Sequence, residues 1–209
     1  LFESSPDVFD GTMVRARHIL LTPGNDEAKQ KEAAQKLRGI KQVVEQICRE
    51  MPKLSTFVTL SPVMNFAAWL KREREQENST ALSEADKALF AKLDVPNWWR
   101  DPETAAQLQD PLMRAAAWYF LRARDGRGRP VDAVARFHLG NGARLERINW
   151  LADTSDKAIA QAQGLMVNYL YDLDHIEKNH EAYAESRAVF ASSAVQRLLL
   201  PPLELVPAG

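Results

Sequence analysis

His138 is the side chain of this 209-residue sequence best placed to do chemistry. It closes an apolar helical pattern, Val131, Val134, Phe137 and His138, and Leu139-Gly140-Asn141-Gly142 follows at once, a turn with unusual backbone freedom. Ala143 to Leu151 then reads as a buried strand. An imidazole titrates near neutrality, and a junction between a helix and a strand is a position where it can meet a ligand. The same pattern also suits a histidine satisfied inside a core. Ser61 lies at the carboxyl end of an apolar run, where open sheets hold ligands, although turn chemistry alone places serine before proline as well. Arg127 and Arg129, in the turn Asp125 to Pro130, could meet a phosphate or simply be solvated. His175 and His180 have no further ligands in reach for zinc and read as surface residues.

The elements that must position these residues follow from periodicity. Val14 to Leu21 alternates and suits a strand. From Glu27 to about Glu50 the period is helical, with Leu37, Ile40, Val44, Ile47, Cys48 and Met51 on one stripe, and Pro52 stops it. Leu54 to Leu60 is β-branched and aromatic, and Ser61-Pro62 ends that strand. Phe66, Trp69 and Leu70 share a helix face, and the charged run Lys71 to Asn78 is solvated. Ser83 to Asp86 starts a helix with Ala85, Leu89 and Leu93 inward. Trp98 and Trp99 anchor a loop. Pro111 suits a first helical position, with helix continuing from Leu112 to Arg122. Asp153-Thr154-Ser155 caps a short helix to Gln163, which Gly164 breaks. Leu165 to Tyr171 is another apolar, aromatic strand, and Glu181 to Leu200 is an amphipathic helix ended by Pro201-Pro202. Strands separated by more abundant helices predict an α+β fold, a mixed sheet covered by helices.

Composition narrows the function classes. A formal net charge of −1 supplies no global field that would draw nucleic acid or an acidic membrane. The single cysteine, Cys48, leaves no internal disulfide and no multi-cysteine metal site. No apolar run is long enough to span a bilayer and no secretory signal is seen, so the expected location is the bacterial cytoplasm or an organelle matrix.

Four segments in order carry a resemblance. FVTLSPVMNFAAWL (Phe57 to Leu70), DPLMRAAAWYFL (Asp110 to Leu121), VARFHLGNGARLERINWLAD (Val134 to Asp153) and GLMVNYLY (Gly164 to Tyr171) resemble the C-terminal catalytic region of malonyl-CoA decarboxylases. The likeness runs from about Ile40 to Ala191. It implies a helix-rich, acetyltransferase-like (GNAT-like) fold that binds coenzyme A. It also implies conversion of malonyl-CoA to acetyl-CoA and carbon dioxide without metal or organic cofactor. The family's catalytic histidine falls on His138, its catalytic serine on Ser61 and an active-site tyrosine on Tyr171. Asn141 and Asn168 are further expected contacts to the malonyl group. The coenzyme A pyrophosphate site falls on a stretch shortened relative to the family, with Arg38 and Gly39 as its expected residues. The resemblance divides the chain into an atypical segment (1–26), a decarboxylase-like domain (27–200) and a loose tail (201–209), with a homo-oligomer as a possible assembly. Two other functions stay open: a degenerate acyl-CoA-binding module without turnover, and a prolyl isomerase fragment. The latter rests on VRARHILLTPG, which resembles the opening strand of parvulin-type isomerases and puts their first active-site histidine on His18.

Overall fold

Three short strands carry the period-2 alternation of the sequence into one sheet. They are β1 (Phe57–Pro62), β2 (Arg144–Asn149) and β3 (Met166–Tyr171), in the order β1-β3-β2. The structure is a computed structural model that describes residues 46–199, Cys48 excepted. His18, Arg38, Gly39, the expected strand Val14 to Leu21 and the tail 201–209 lie outside the described residues. Gln46, Ile47, Arg49 and Glu50 are helical and Pro52 follows them, as the sequence predicts.

Both pairings in the sheet are antiparallel. The expected mixed sheet is therefore corrected for the described residues, where the one parallel contact is an isolated bridge from Leu145 to Ala191 at the outer edge of β2. Strand periodicity is the same for either direction, so sequence pattern could not decide it. Register puts Ser61 opposite Val167, Thr59 opposite Tyr169 and Phe57 opposite Tyr171. Alternation then gathers Ser61, Val167, Tyr169 and Tyr171 on one buried face. Leu145 and Ile148 join them although they are three residues apart, because a bulge between Leu145 and Arg147 resets the alternation.

Helices cover that face. α1 (Phe66–Glu75) buries Phe66, Trp69 and Leu70. α2 (Glu84–Leu89) starts at a capping box between Ser83 and Asp86. Ala85, expected inward, is exposed; the helix tightens at once into a 3-10 turn, Phe90–Asp94, and Phe90 takes the core position. α3 (Pro102–Leu121) begins nine residues before the expected start, with Asp101 as its cap and Pro111 inside it. An internal proline costs about 3 kcal/mol. Burying one large apolar side chain returns about 1.5–3 kcal/mol, and this helix buries Leu108, Leu112, Tyr119 and Phe120, so burial wins. Tyr119 packs against Phe66, Trp69 and Phe120 at centroid distances of 5.6, 5.1 and 5.3 Å. Trp98 is the buried anchor of its loop, 6.0 Å from Trp150.

α4 (Ala133–Gly140) leads into β2, and α5 (Asp156–Ala162), capped by Ser155, leads into β3. The expected single helix from Glu181 to Leu200 is two. α6 (Ile176–Ser186) stops where Arg187 turns left-handed, and α7 (Ser193–Arg197) restarts after Ser192. The segment between them has a stronger use for its backbone than helix: Leu145 N–H donates to Phe190 at 2.9 Å and Ser192 N–H donates to Leu145 at 2.9 Å, satisfying the edge of β2.

Candidate active site

α4 exists because its first turn is anchored twice. The Asp132 carboxylate caps it, accepting the Ala135 N–H at 2.7 Å on one oxygen and the Tyr119 hydroxyl at 3.0 Å on the other. Burial holds the Asp132 carboxyl above the usual aspartate range, against the pull of those two bonds. The same burial keeps the Tyr119 phenol protonated.

The far end of α4 is the site. Asn141 and Ala143 both donate backbone N–H to the His138 carbonyl at 3.1 Å. Gly142 takes φ +77°, and a Cβ there would lie 2.0 Å from the Ile176 carbonyl oxygen, so only glycine fits between the turn and α6. Asn179 of α6 donates to the Gly142 carbonyl at 3.1 Å and locks that contact. The turn cannot slide, and His138 with it.

Three side chains then meet. Ser61 Oγ lies 3.2 Å from His138 Nε2, and His138 Nδ1 lies 2.7 Å from the Tyr171 hydroxyl. Ser61 is 1% exposed, Tyr171 4% and His138 7%. Burial pushes the Tyr171 phenol well above its ordinary value, so it stays a neutral partner at neutral pH. A neutral imidazole can accept the serine proton at Nε2 while donating from Nδ1 to Tyr171, or run both bonds in the opposite sense. Either way a proton can pass between hydroxyl and ring over one hydrogen bond. Tyr169 stacks on the imidazole at 4.3 Å and 18°, and Phe137 meets it edge-on at 5.1 Å.

Of the residues expected from sequence, the structure brings His138, Ser61 and Tyr171 together and leaves two others apart. Asn168 points to the opposite face of the sheet, where it donates to the Thr59 carbonyl at 3.0 Å and accepts from Asn149 at 2.8 Å. Residues an odd number apart on an unbulged strand face opposite sides, so Tyr171 and Asn168, three apart on β3, could not share one. Asn141 turns its amide nitrogen to the Phe137 carbonyl and closes its own helix end; the left-handed position in that turn is Gly142. Sequence reasoning missed Tyr169 and the Asp132–Tyr119 pair. Tyr169 was within reach, two residues before Tyr171 on an alternating strand.

Other candidates resolve as structural. Arg129 is held by Asp125, whose carboxylate also accepts the Arg127 and Arg129 N–H groups at 2.9 Å. His175 and His180 are exposed and bind Asp172 and the Gly140 carbonyl. Among the described residues no three His, Cys, Asp or Glu side chains cluster as a metal site, and no helix is long and apolar enough to cross a membrane. A groove of about 620 Å³ beside α1 and α5, lined by Lys71, Arg74, Asp94 and Gln163, contains none of the three site residues, and its Arg74 and Asp94 neutralise each other at 2.6 Å.

Known proteins resemble this chain in sequence and in overall structure. Residues 38–206 match the family described as malonyl-CoA decarboxylase C-terminal domain. A crystal structure of malonyl-CoA decarboxylase from Rhodopseudomonas palustris is 55% identical and superposes with a TM-score of 0.74, covering 76% of this chain and 36% of that one. The Agrobacterium vitis enzyme of the same name is 50% identical, with a TM-score of 0.76 over 79% of this chain and 41% of that one. The mitochondrial malonyl-CoA decarboxylase of Anser anser anser is 34% identical over 174 residues, 75% of this chain and 34% of that protein. The chain thus spans about a third of the length of the curated relatives it matches. By the extent of that match, the chain belongs to the malonyl-CoA decarboxylase family and corresponds to its C-terminal domain.

Proposed function

We propose that this domain decarboxylates malonyl-CoA to acetyl-CoA and carbon dioxide. The observation that carries the reading is the buried line Ser61–His138–Tyr171, bonded at 3.2 and 2.7 Å. In this reaction the bond between the α-carbon and the carboxylate breaks. Its electron pair moves into the thioester as an enolate, carbon dioxide leaves, and a proton must reach the α-carbon. The thioester carbonyl is itself the electron sink, so the chemistry asks for no metal and no organic cofactor. Ser61 faces the substrate and passes its proton to the α-carbon; His138, protonated at both nitrogens, returns one to Ser61 from Nε2, and a proton from solvent restores the ring. Tyr171, bonded to Nδ1, holds the ring in the tautomer that this transfer leaves. A positioned acid is typically worth about 10²–10⁴ in rate. A hydroxyl donor facing the enolate oxygen adds about 3–4 kcal/mol.

The remaining expectations belong to the same proposal. Helices packed on a small sheet support an acetyltransferase-like fold. Arg38 and Gly39 would meet the coenzyme A pyrophosphate. The protein would work in bacterial cytoplasm or an organelle matrix, as a homo-oligomer, without nucleic acid or membrane partners.

The test is acetyl-CoA and carbon dioxide release from malonyl-CoA. Ser61→Ala and His138→Asn should each lose about 10²-fold or more in kcat, with circular dichroism unchanged. Near-native rates in both folded variants would overturn the proposal. The near-complete burial of Ser61 favours a second reading, binding without turnover. Calorimetric binding of acetyl-CoA by a wild-type protein that releases no carbon dioxide would establish it instead.

A further inference from the structure

An imidazole bonded at both nitrogens still rocks about its Cβ–Cγ bond unless something holds its face. His138 reaches from the row of Ser61, opposite Val167, to Tyr171, and Tyr169 lies between those rows on β3. The Tyr169 ring covers the imidazole at 4.3 Å and 18° from parallel. At that spacing a tilted imidazole would drive its edge into the Tyr169 ring. Tyr169 cannot yield, because it is 0% exposed. Phe137 also touches the ring, but edge-on and from the same helix, so it moves with His138 and cannot fix it to the sheet. The Tyr169 hydroxyl has no hydrogen-bond partner among the described residues, so its ring, not its polar end, accounts for the contact.

We propose that Tyr169 is a positioning residue for His138, its aromatic face fixing the imidazole plane so that Nε2 stays on Ser61 and Nδ1 on Tyr171. The consequence for turnover rests on the decarboxylase reading above; the hold on the ring does not. Tyr169 lies beneath His138, so its loss lowers kcat and leaves KM alone.

The full chain, as Tyr169→Phe and Tyr169→Leu, separates these. Imidazole nitrogen NMR reads the His138 ring, its signals assigned by their loss in His138→Asn. Tyr169→Phe keeps the flat face and should keep one tautomer, a kcat near wild type and a melting temperature no lower. Tyr169→Leu should show shifted or averaged ring nitrogens and lose about tenfold or more in kcat, since a misplacement of about 1 Å can cost 10²-fold. Its KM should stay within about twofold, the pattern of a lost transition-state interaction. A Leu variant with native ring signals and native kcat overturns the proposal. So does a Phe variant as impaired as Leu, which would assign the effect to the hydroxyl. If Tyr169→Leu fails to fold, Tyr169→Met, whose unbranched chain adapts to an irregular gap but has no flat face, takes its place. If wild type releases no carbon dioxide, the decarboxylase reading fails and the nitrogen spectra alone decide Tyr169.

Discussion

Replacing Asp132 tests whether the helix that delivers His138 is held from its far end. Asp132→Ala removes the cap bond to Ala135, typically about 1 kcal/mol and up to about 2. It also strands the Tyr119 hydroxyl, 1% exposed, at about 1–3 kcal/mol. Together the loss should be about 2–5 kcal/mol in urea unfolding at neutral pH. Asp132→Asn keeps an oxygen for Ala135 and a polar group against Tyr119, and should cost under about 1.5 kcal/mol. The two variants also differ in pH response. Burial raises the folded carboxyl pKa above the unfolded value, so the wild type's contribution is complete below the ordinary aspartate range. It is lost as pH rises through the raised folded value. Asparagine has no such dependence, so the Asn variant should gain on wild type as pH climbs from that range to neutrality. An Ala variant losing under about 1 kcal/mol, or an Asn variant that falls behind wild type over that interval, would refute the two-bond account.

Other outcomes follow from the same geometry. Gly142→Ala must hold a left-handed residue, about 1–2 kcal/mol, and push back the Ile176 carbonyl, about 1–3 kcal/mol more; a loss in urea unfolding below about 1 kcal/mol would contradict the contact. Tyr171→Phe removes the hydroxyl bonded to His138 Nδ1 and should lower malonyl-CoA turnover while far-ultraviolet dichroism stays native; unchanged turnover would take Tyr171 out of the line. Ser83→Ala breaks the capping box of α2 and should cost about 1 kcal/mol in thermal unfolding. Asp125 is pushed down to about 2, first by the Arg129 N–H and then by the Arg129 guanidinium and the Arg127 N–H. Its folded pKa lies below the unfolded one, so the order it gives the 125–130 turn is complete above the ordinary aspartate range. That order is lost as pH falls toward 2, and a carboxyl carbon titration by NMR that shows an ordinary aspartate would contradict it.

What could be read in the sequence was local. The three strands near the site, the caps at Ser83 and Ser155 and the break at Gly164 stand where side-chain period and turn chemistry put them. That Ser61 and His138 meet, 77 residues apart, is a fact of tertiary packing that no local pattern carries; the family resemblance supplied it. Pro111 misled because a proline at a helix start and one tolerated by a heavily buried helix look alike, while Asp101-Pro102-Glu103 carried the true start signal. The break at Arg187 has no glycine to announce it. Its cause is the unsatisfied edge of β2, which lies elsewhere in the chain. Asn168 was misplaced through a rule already in hand, since strand alternation excludes it from the face of Tyr171.

β1 and β2 are not hydrogen-bonded neighbours; each pairs with β3, which lies between them. A ribosome delivers β3 last of the three, more than a hundred residues after β1 begins. Until then neither earlier strand has its mate, and the helices between them have no platform to cover. The serine and the imidazole therefore emerge early and wait as strangers, and a nascent chain stalled before Met166 would carry both without any trace of their encounter.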